Sequence, residues 1–445
     1  MRRSVLFVFG ALIALATGAE AQGLRDKIGQ LFIFGSGEDP LFLAGSADPN
    51  NPASIRAHGT HFVPSAVSQN GSIIAFITNA ISANVSNAPV GSTSSGETFR
   101  FEGGVPVRTS TSAGPILAER ALTLGRGRSL VGIGRSTSHF SSLRGVDLDN
   151  IDLFFTHQNV NFAGCDSAQG GDCSKMGFPL LENDIMQFKL SLDVNVEVTS
   201  IYATYGLYDN MDVGIMLPLV STRLRGGSAA GVIPFGGPTA AHFFAGTPTA
   251  PELAATRSVE GSSFGLGDVA IRAKVRIRET PRAAFALLGD ARFATGNDNE
   301  LLGSGDFAAR GLMIFAAQFG SFSPHGNVGY IYRGGATQND AVTAIIGFDD
   351  LMQEHVTIAA ELISELQVGK SNLTLPPPVQ FNFPFKRTIT PTSIPDVADD
   401  IVNGSLGLKY STNTGFTFVT NALVPLNRGG LRANLTYTFG LEYAF

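Results

Sequence analysis

The chain has 445 residues, a net charge of −6, 52 glycines, 33 phenylalanines, two cysteines and no tryptophan. A mildly acidic balance argues against nucleic acid as a partner. Beyond the first residues no stretch reaches the roughly eighteen apolar residues of a membrane-crossing helix, which excludes the α-helical membrane proteins.

Arg2 and Arg3 precede an apolar run from Val5 to Ala16, and Ala19-Glu20-Ala21 ahead of Gln22 has the small-x-small form of a cleavage site. Residues 1–21 are therefore expected to be a secretory signal peptide, and no Cys follows to carry a lipid. Residues 22–95 read as a separate segment with turn signals at Asp39-Pro40, Asp48-Pro49 and Asn51-Pro52. Within it Ile73, Phe76, Ile77, Ala80 and Ile81 recur at helical spacing behind Asn70 and Ser72, which predicts one short amphipathic helix.

From Ser129 onward thirteen runs alternate with period two: 129–140, 150–160, 186–207, 212–223, 264–277, 283–295, 306–320, 324–333, 340–349, 353–367, 401–411, 415–425 and 432–445. Their connections are tight and long in turn, the asymmetry of a membrane barrel with short periplasmic turns and long outer loops. If the last run ends in the periplasm, one more strand is needed before the first. Glu97 to Thr109, with Phe99, Phe101, Val105 and Val107 alternating, is the candidate. The expected fold is all-β, a transmembrane antiparallel β-barrel over residues 96–445 with about 14 strands, or 12 if the 97–109 run belongs to the N-terminal segment. The amphipathic helix would then act as a plug, burying Ile73, Phe76, Ile77 and Ile81 in the lumen; lying on the periplasmic membrane surface is its alternative.

Cys165 and Cys173 bracket a Gly-rich loop, and in an exported chain such a pair is most simply a local disulfide; without a nearby His they make a poor metal site. The run at 186–207 sets Phe188, Leu190, Leu192, Val194, Val196 and Val198 against Lys189, Asp193 and Glu197. A charge on a lipid face costs a few kcal/mol at mid-depth, so the charged set is expected in the lumen. The same test points Asp268, Arg272, Lys274, Arg276, Asp290, Arg292, Arg310, Arg333, Glu361, Glu365, Lys409, Arg432 and Glu442 inward. Their mixed signs can pair with one another or with a plug.

The long segments 224–263 and 368–400 carry Phe235, Phe243, Phe244 and Phe381, Phe383, Phe385. Outward apolar clusters either cover one another or form a landing site for hydrophobic solutes.

The C-terminus alternates Thr438, Gly440, Glu442 and Ala444 with Phe439, Leu441, Tyr443 and Phe445. Thr438, Gly440, Tyr443 and the terminal Phe445 resemble the C-terminal signal of Gram-negative outer-membrane barrels, which implies the barrel-assembly machinery as a partner and the outer membrane as the location. Tyr205 to Gly214, Gly265-Leu266-Gly267-Asp268-Val269 and Ala294-Thr295-Gly296-Asn297 resemble the outer-membrane family named for the MetA pathway of phenol degradation. A plug ahead of fourteen strands, with Asn51-Pro52-Ala53, is similar to FadL-type transporters. These resemblances imply uptake of hydrophobic small molecules, aromatic hydrocarbons or fatty acids, through a plugged barrel embedded in outer-membrane lipid.

A general porin-like diffusion channel and a structural or adhesive barrel are the alternatives. No Gly-x-Ser-x-Gly or His-Glu-x-x-His occurs and the seven His are scattered, so neither an enzyme nor a metal or other cofactor is expected. The oligomeric state stays open.

Overall fold

The computed structural model describes residues 23–34, 71–82 apart from 72 and 76, 99–102, 105–108, 112–156, 185–233, 243–247, 250–335, 338–372, 375, 377–381 and 386–445. Twelve of its strands close into an antiparallel barrel. They are β1 (Ser129–Leu143), β2 (Ile185–Tyr208), β3 (Met211–Ile233), β4 (Val269–Thr280), β5 (Ala283–Phe293) and β6 (Ala308–Ala317), then β7 (Phe322–Arg333), β8 (Ala341–Gln353), β9 (Val356–Gln367), β10 (Ile401–Ser411), β11 (Phe416–Pro425) and β12 (Leu431–Ala444). Each pairs with its sequence neighbour, and β12 closes on β1 in the register Tyr437↔Thr137 and Leu441↔Ile133. Closure matters because a strand edge left open in hydrocarbon would strand its N–H and C=O groups.

The expected count of fourteen is corrected to the twelve-strand alternative. The 97–109 run forms its own hairpin, Phe99–Glu102 with Val105–Arg108, apart from the barrel sheet. The 150–160 run supplies a short strand, Ile151–Thr156, which pairs with Ile185–Leu190 of β2 and, through Leu153, makes an isolated bridge to Thr392, instead of spanning the barrel wall. The physical cause is length: β2 and β3 have 24 and 23 residues, about twice a tilted membrane crossing. Their excess stands beyond the rim at the end that carries the long connections. There the strand Ala254–Leu266 takes the edge of β3 that β4 leaves above Met216.

Around the lower barrel the outward side chains form an apolar belt that includes Ile201, Ile215, Met313, Ile346, Leu406 and Phe439, each at least 41% exposed. Side chains of this kind left uncovered on every strand face lipid. The inward set of the same strands is polar or small, as at Thr436, Thr438 and Glu442 on β12.

Above the belt the polarity reverses. On β2, Phe188, Leu190, Leu192, Val194, Val196 and Val198 are all buried, and they share one apolar cluster with Val220 and Leu224 of β3. That cluster is completed by α1 (Leu24–Gln30) through Leu24 and Ile28, and by Leu31, Phe32 and Phe34 just after it. A second helix, α2, covers the described residues 71, 73–75 and 77–82 and adds Ile73, Ile77 and Ile81, each fully buried. The rings of Phe32, Phe34 and Phe155 pack around Phe188 with centroids 4.9–5.5 Å apart.

Candidate functional site: the filled lumen

Residues 112–124 lack the alternation of a strand, and they cross the inside of the barrel from one wall to the other. Ser112 Oγ donates to Asp349 of β8, and the Ala113 amide donates to Thr357 Oγ1 of β9 at 3.0 Å. The amides of Ile116, Leu117 and Ala118 all donate to the Glu361 carboxylate of β9, at 2.9–3.2 Å. Lys409 of β10 donates to the Pro115 carbonyl at 2.6 Å. At the opposite wall Glu119 pairs with Arg272 of β4 at 2.9 Å, and Lys274 donates to the Leu122 carbonyl at 2.8 Å. The Leu124 amide closes the crossing on Asp212 of β3 at 3.1 Å.

Apolar contacts fill the spaces between these ties. Ile116 packs with Ala359 and Val419, Ala121 with Ala286, Leu288, Leu312 and Ile314, and Leu124 with Leu130, Tyr202, Met216 and Ala270. The segment is thus a floor near the tight-turn end. It leaves through a turn in which Gly125 and Gly127 both take positive φ, 88° and 77°, which glycine alone adopts at little cost. Gly206 lies so close to the Gly125 carbonyl that any Cβ there would overlap it.

Above the floor lies a cavity of about 310 Å³ lined by Leu117 and Glu119 from below and by Ala80 of α2 from the loop side. Asn79 ties α2 across the mouth, accepting from Arg25 at 2.8 Å and, through its carbonyl, from Gln338 at 3.0 Å. One side of the cavity is apolar, with Phe140, Val196, Val198 and Leu431; the other presents Arg272, Arg292, Arg310 and Arg333. Asp290 is shared by Arg272, Arg292 and Arg310, at 3.0, 3.4 and 3.6 Å, and Arg333 pairs with Glu365.

The residues expected in the lumen therefore divide. Arg272, Lys274, Arg292, Glu361 and Glu365 point inward, to the floor or the cavity. Lys189, Asp193 and Glu197 do not: they lie on the outer face of β2, near Asp152 (3.5 Å), His139 (3.4 Å) and Arg135 (2.5 Å). The lipid criterion fails there because this part of β2 stands above the belt, where water replaces lipid outside and the N-terminal helices offer an apolar interior.

Ile73, Ile77 and Ile81 lie in the core described above, while Phe76 falls outside the described residues. Phe243 and Phe244 are buried, and Phe244 packs on Phe34 with centroids 5.3 Å apart. Phe381 ends a short strand, Val379–Phe381, paired with Arg387–Ile389. Phe235, Phe383, Phe385, Cys165 and Cys173 fall outside the described residues. At the C-terminus Thr438 is buried inward beside Gly440, Tyr443 packs against Phe416 in a tilted pair with centroids 4.6 Å apart, and Phe445 exchanges two 2.9 Å backbone hydrogen bonds with Ser129. The floor was missed because it carries no periodicity; the one signal for it was the surplus of inward charges that needed partners.

Two of the three family-like stretches, residues 265–269 and 294–297, also meet in space. Thr295 Oγ1 accepts from the Val269 amide at 3.0 Å and donates to the Gly267 carbonyl at 2.7 Å. The buried Asp268 carboxylate accepts from the Gly296 amide at 3.0 Å and the Ser304 amide at 2.7 Å. These bonds pin the connection between β5 and β6 to the start of β4.

Fold and site together define a closed, membrane-type β-barrel crossed inside by residues 112–124. Residues 183–348 match the sequence profile of a family whose description provisionally assigns it to the MetA pathway of phenol degradation. No curated protein matches the sequence. Similar solved structures include an outer membrane channel from Pseudomonas putida F1 (13% identity, 73% of this chain and 98% of that one, TM-score 0.40). A Pseudomonas aeruginosa FadL homologue (9%, 72% and 90%, 0.32) and a deltaS2 mutant of the TodX monoaromatic hydrocarbon channel (11%, 72% and 90%, 0.33) are also similar.

Proposed function

We propose that the protein is an outer-membrane channel that takes up small hydrophobic molecules through a barrel plugged by its N-terminal chain, with α1 and α2 at the mouth and residues 112–124 as the floor. The observation that carries this reading is the floor itself. Its hydrogen bonds and ion pairs engage inward polar groups of the wall, such as Glu361, Lys409, Arg272, Lys274 and Asp212, that would otherwise face water in an open pore. Water can replace such ties one by one, so the floor is releasable in a way a packed apolar core is not. The loop residues Phe235, Phe381, Phe383 and Phe385 are proposed as the landing site, whereas Phe243 and Phe244 serve packing. Solute passes from the loops to the cavity and leaves as the floor shifts.

The test is planar-bilayer conductance of the full-length protein beside a Glu361→Ala, Lys274→Ala double variant. The wild type should be nearly silent and the variant should conduct. Steady, equal conductance in both would replace this reading with an open porin-like pore.

A further inference from the structure

Arg432 stands apart from the other cations of the cavity. It is 5% exposed, and its Nη2 donates to two neutral groups, the Val402 carbonyl at 2.8 Å and Asn403 Oδ1 at 2.6 Å. Its buried Nε has no hydrogen-bond partner, and among the described residues no carboxylate makes an ion pair with it. A guanidinium held out of water with neutral partners alone is costly, and that cost falls when an anion arrives.

The backbone is shaped to aim it. Two register shifts, at Arg432/Ala433 and at Ala433/Thr436, interrupt the pairing of β12 with β1. As a result Leu431, Arg432 and Ala433 all line the cavity, where a regular strand would offer only alternate residues, and Asn434, two residues on from the inward Arg432, is exposed. Irregularities of this kind at a barrel rim re-aim side chains. Ala433 sits opposite Phe140, and Phe140 shares the cavity wall with Val196, Val198 and Leu431. A cation without a carboxylate and an apolar wall therefore adjoin in one chamber of about 310 Å³, at the small end of ligand sites.

Building on the channel reading, we infer that the cavity binds a small organic anion with an apolar body, of the size of a single-ring carboxylate, its charge on Arg432 and its ring against Phe140, Val196 and Val198. The neutral Val402 and Asn403 groups hold the guanidinium in place and leave its remaining N–H groups for the ligand. A neutral hydrocarbon leaves Arg432 uncompensated.

Salicylate fluorescence reads the binding directly, because the protein has no Trp to interfere. Titration of full-length protein in detergent, with benzyl alcohol as the uncharged competitor, should show salicylate bound and poorly displaced. Arg432→Gln should weaken salicylate at least about tenfold, as expected for loss of a charged hydrogen bond, with Arg432→Lys intermediate. Unchanged heat-modifiable gel mobility would show that both variants keep the barrel. Equal salicylate affinity in Arg432→Gln, displacement by benzyl alcohol at equal concentration, or no binding to the wild type would each overturn the inference. The conductance test stands apart from all three, so the channel reading can survive the loss of this one.

Discussion

At the scale of single residues, the floor depends on Glu361. A carboxylate on the barrel wall meets three consecutive amides, so one side chain satisfies a turn of backbone that has no strand or helix to do so. An amide side chain in its place offers one acceptor oxygen and two donors, which cannot serve three N–H groups. Hydrogen bonds to a charged group contribute about 1.5–3 kcal/mol each. Glu361→Gln should therefore raise hydrogen exchange at the amides of Ile116, Leu117 and Ala118 at least about tenfold while leaving β12 protected. Equal exchange in both proteins would mean that apolar packing alone holds the floor. Gly407 makes a related point, since a Cβ there would run into the end of Ile116.

At the scale of elements, the strands were legible and their orientation only partly so. Period-two alternation located all twelve barrel strands, because a strand between lipid and a polar lumen must alternate. On β12 it also gave the right faces from Thr436 to Phe445, where lipid decides which side is apolar. On β2 the same pattern is as clear, but beyond the membrane the preference inverts, and Lys189 and Val194 exchange the sides expected of them. Alternation fixes two faces; the solvent outside decides which is which. Length misled in a second way, since Ile151–Thr156 has the pattern of a barrel strand yet extends only the rim. In the N-terminal segment, helical spacing at Ile73, Ile77 and Ile81 marked a stripe that needs burial, though not the wall that buries it. That wall is the inner face of β2 and β3. A charge placed there has no partner, so Ile77→Asp should cost upwards of about 3 kcal/mol in this docking. Limited proteolysis should then remove the N-terminal segment from a barrel that still migrates as a folded species. Undiminished resistance would show that α2 is not held through this face.

At the scale of the whole molecule, three layers follow one another along the barrel axis: helices at the mouth, a mixed apolar and cationic chamber, and a polar-tethered floor. The outward belt fixes where lipid sits, and the extended β2 and β3 build the wall that the mouth helices need. The claim that unites these layers is that the solute route runs through the floor. The side chains of Ser112 in the floor and Asp349 in the wall touch, so thiols at the two positions lie within reach of a short linker. The decisive measurement is therefore uptake of an apolar solute by proteoliposomes carrying Ser112→Cys with Asp349→Cys bridged by a short reducible dithiol-reactive linker, in a chain whose Cys165 and Cys173 are replaced by Ser. With the bridge formed, uptake should fall to the level of empty liposomes and return on reduction. Uptake at the same rate in the bridged and reduced states would contradict a route through the floor.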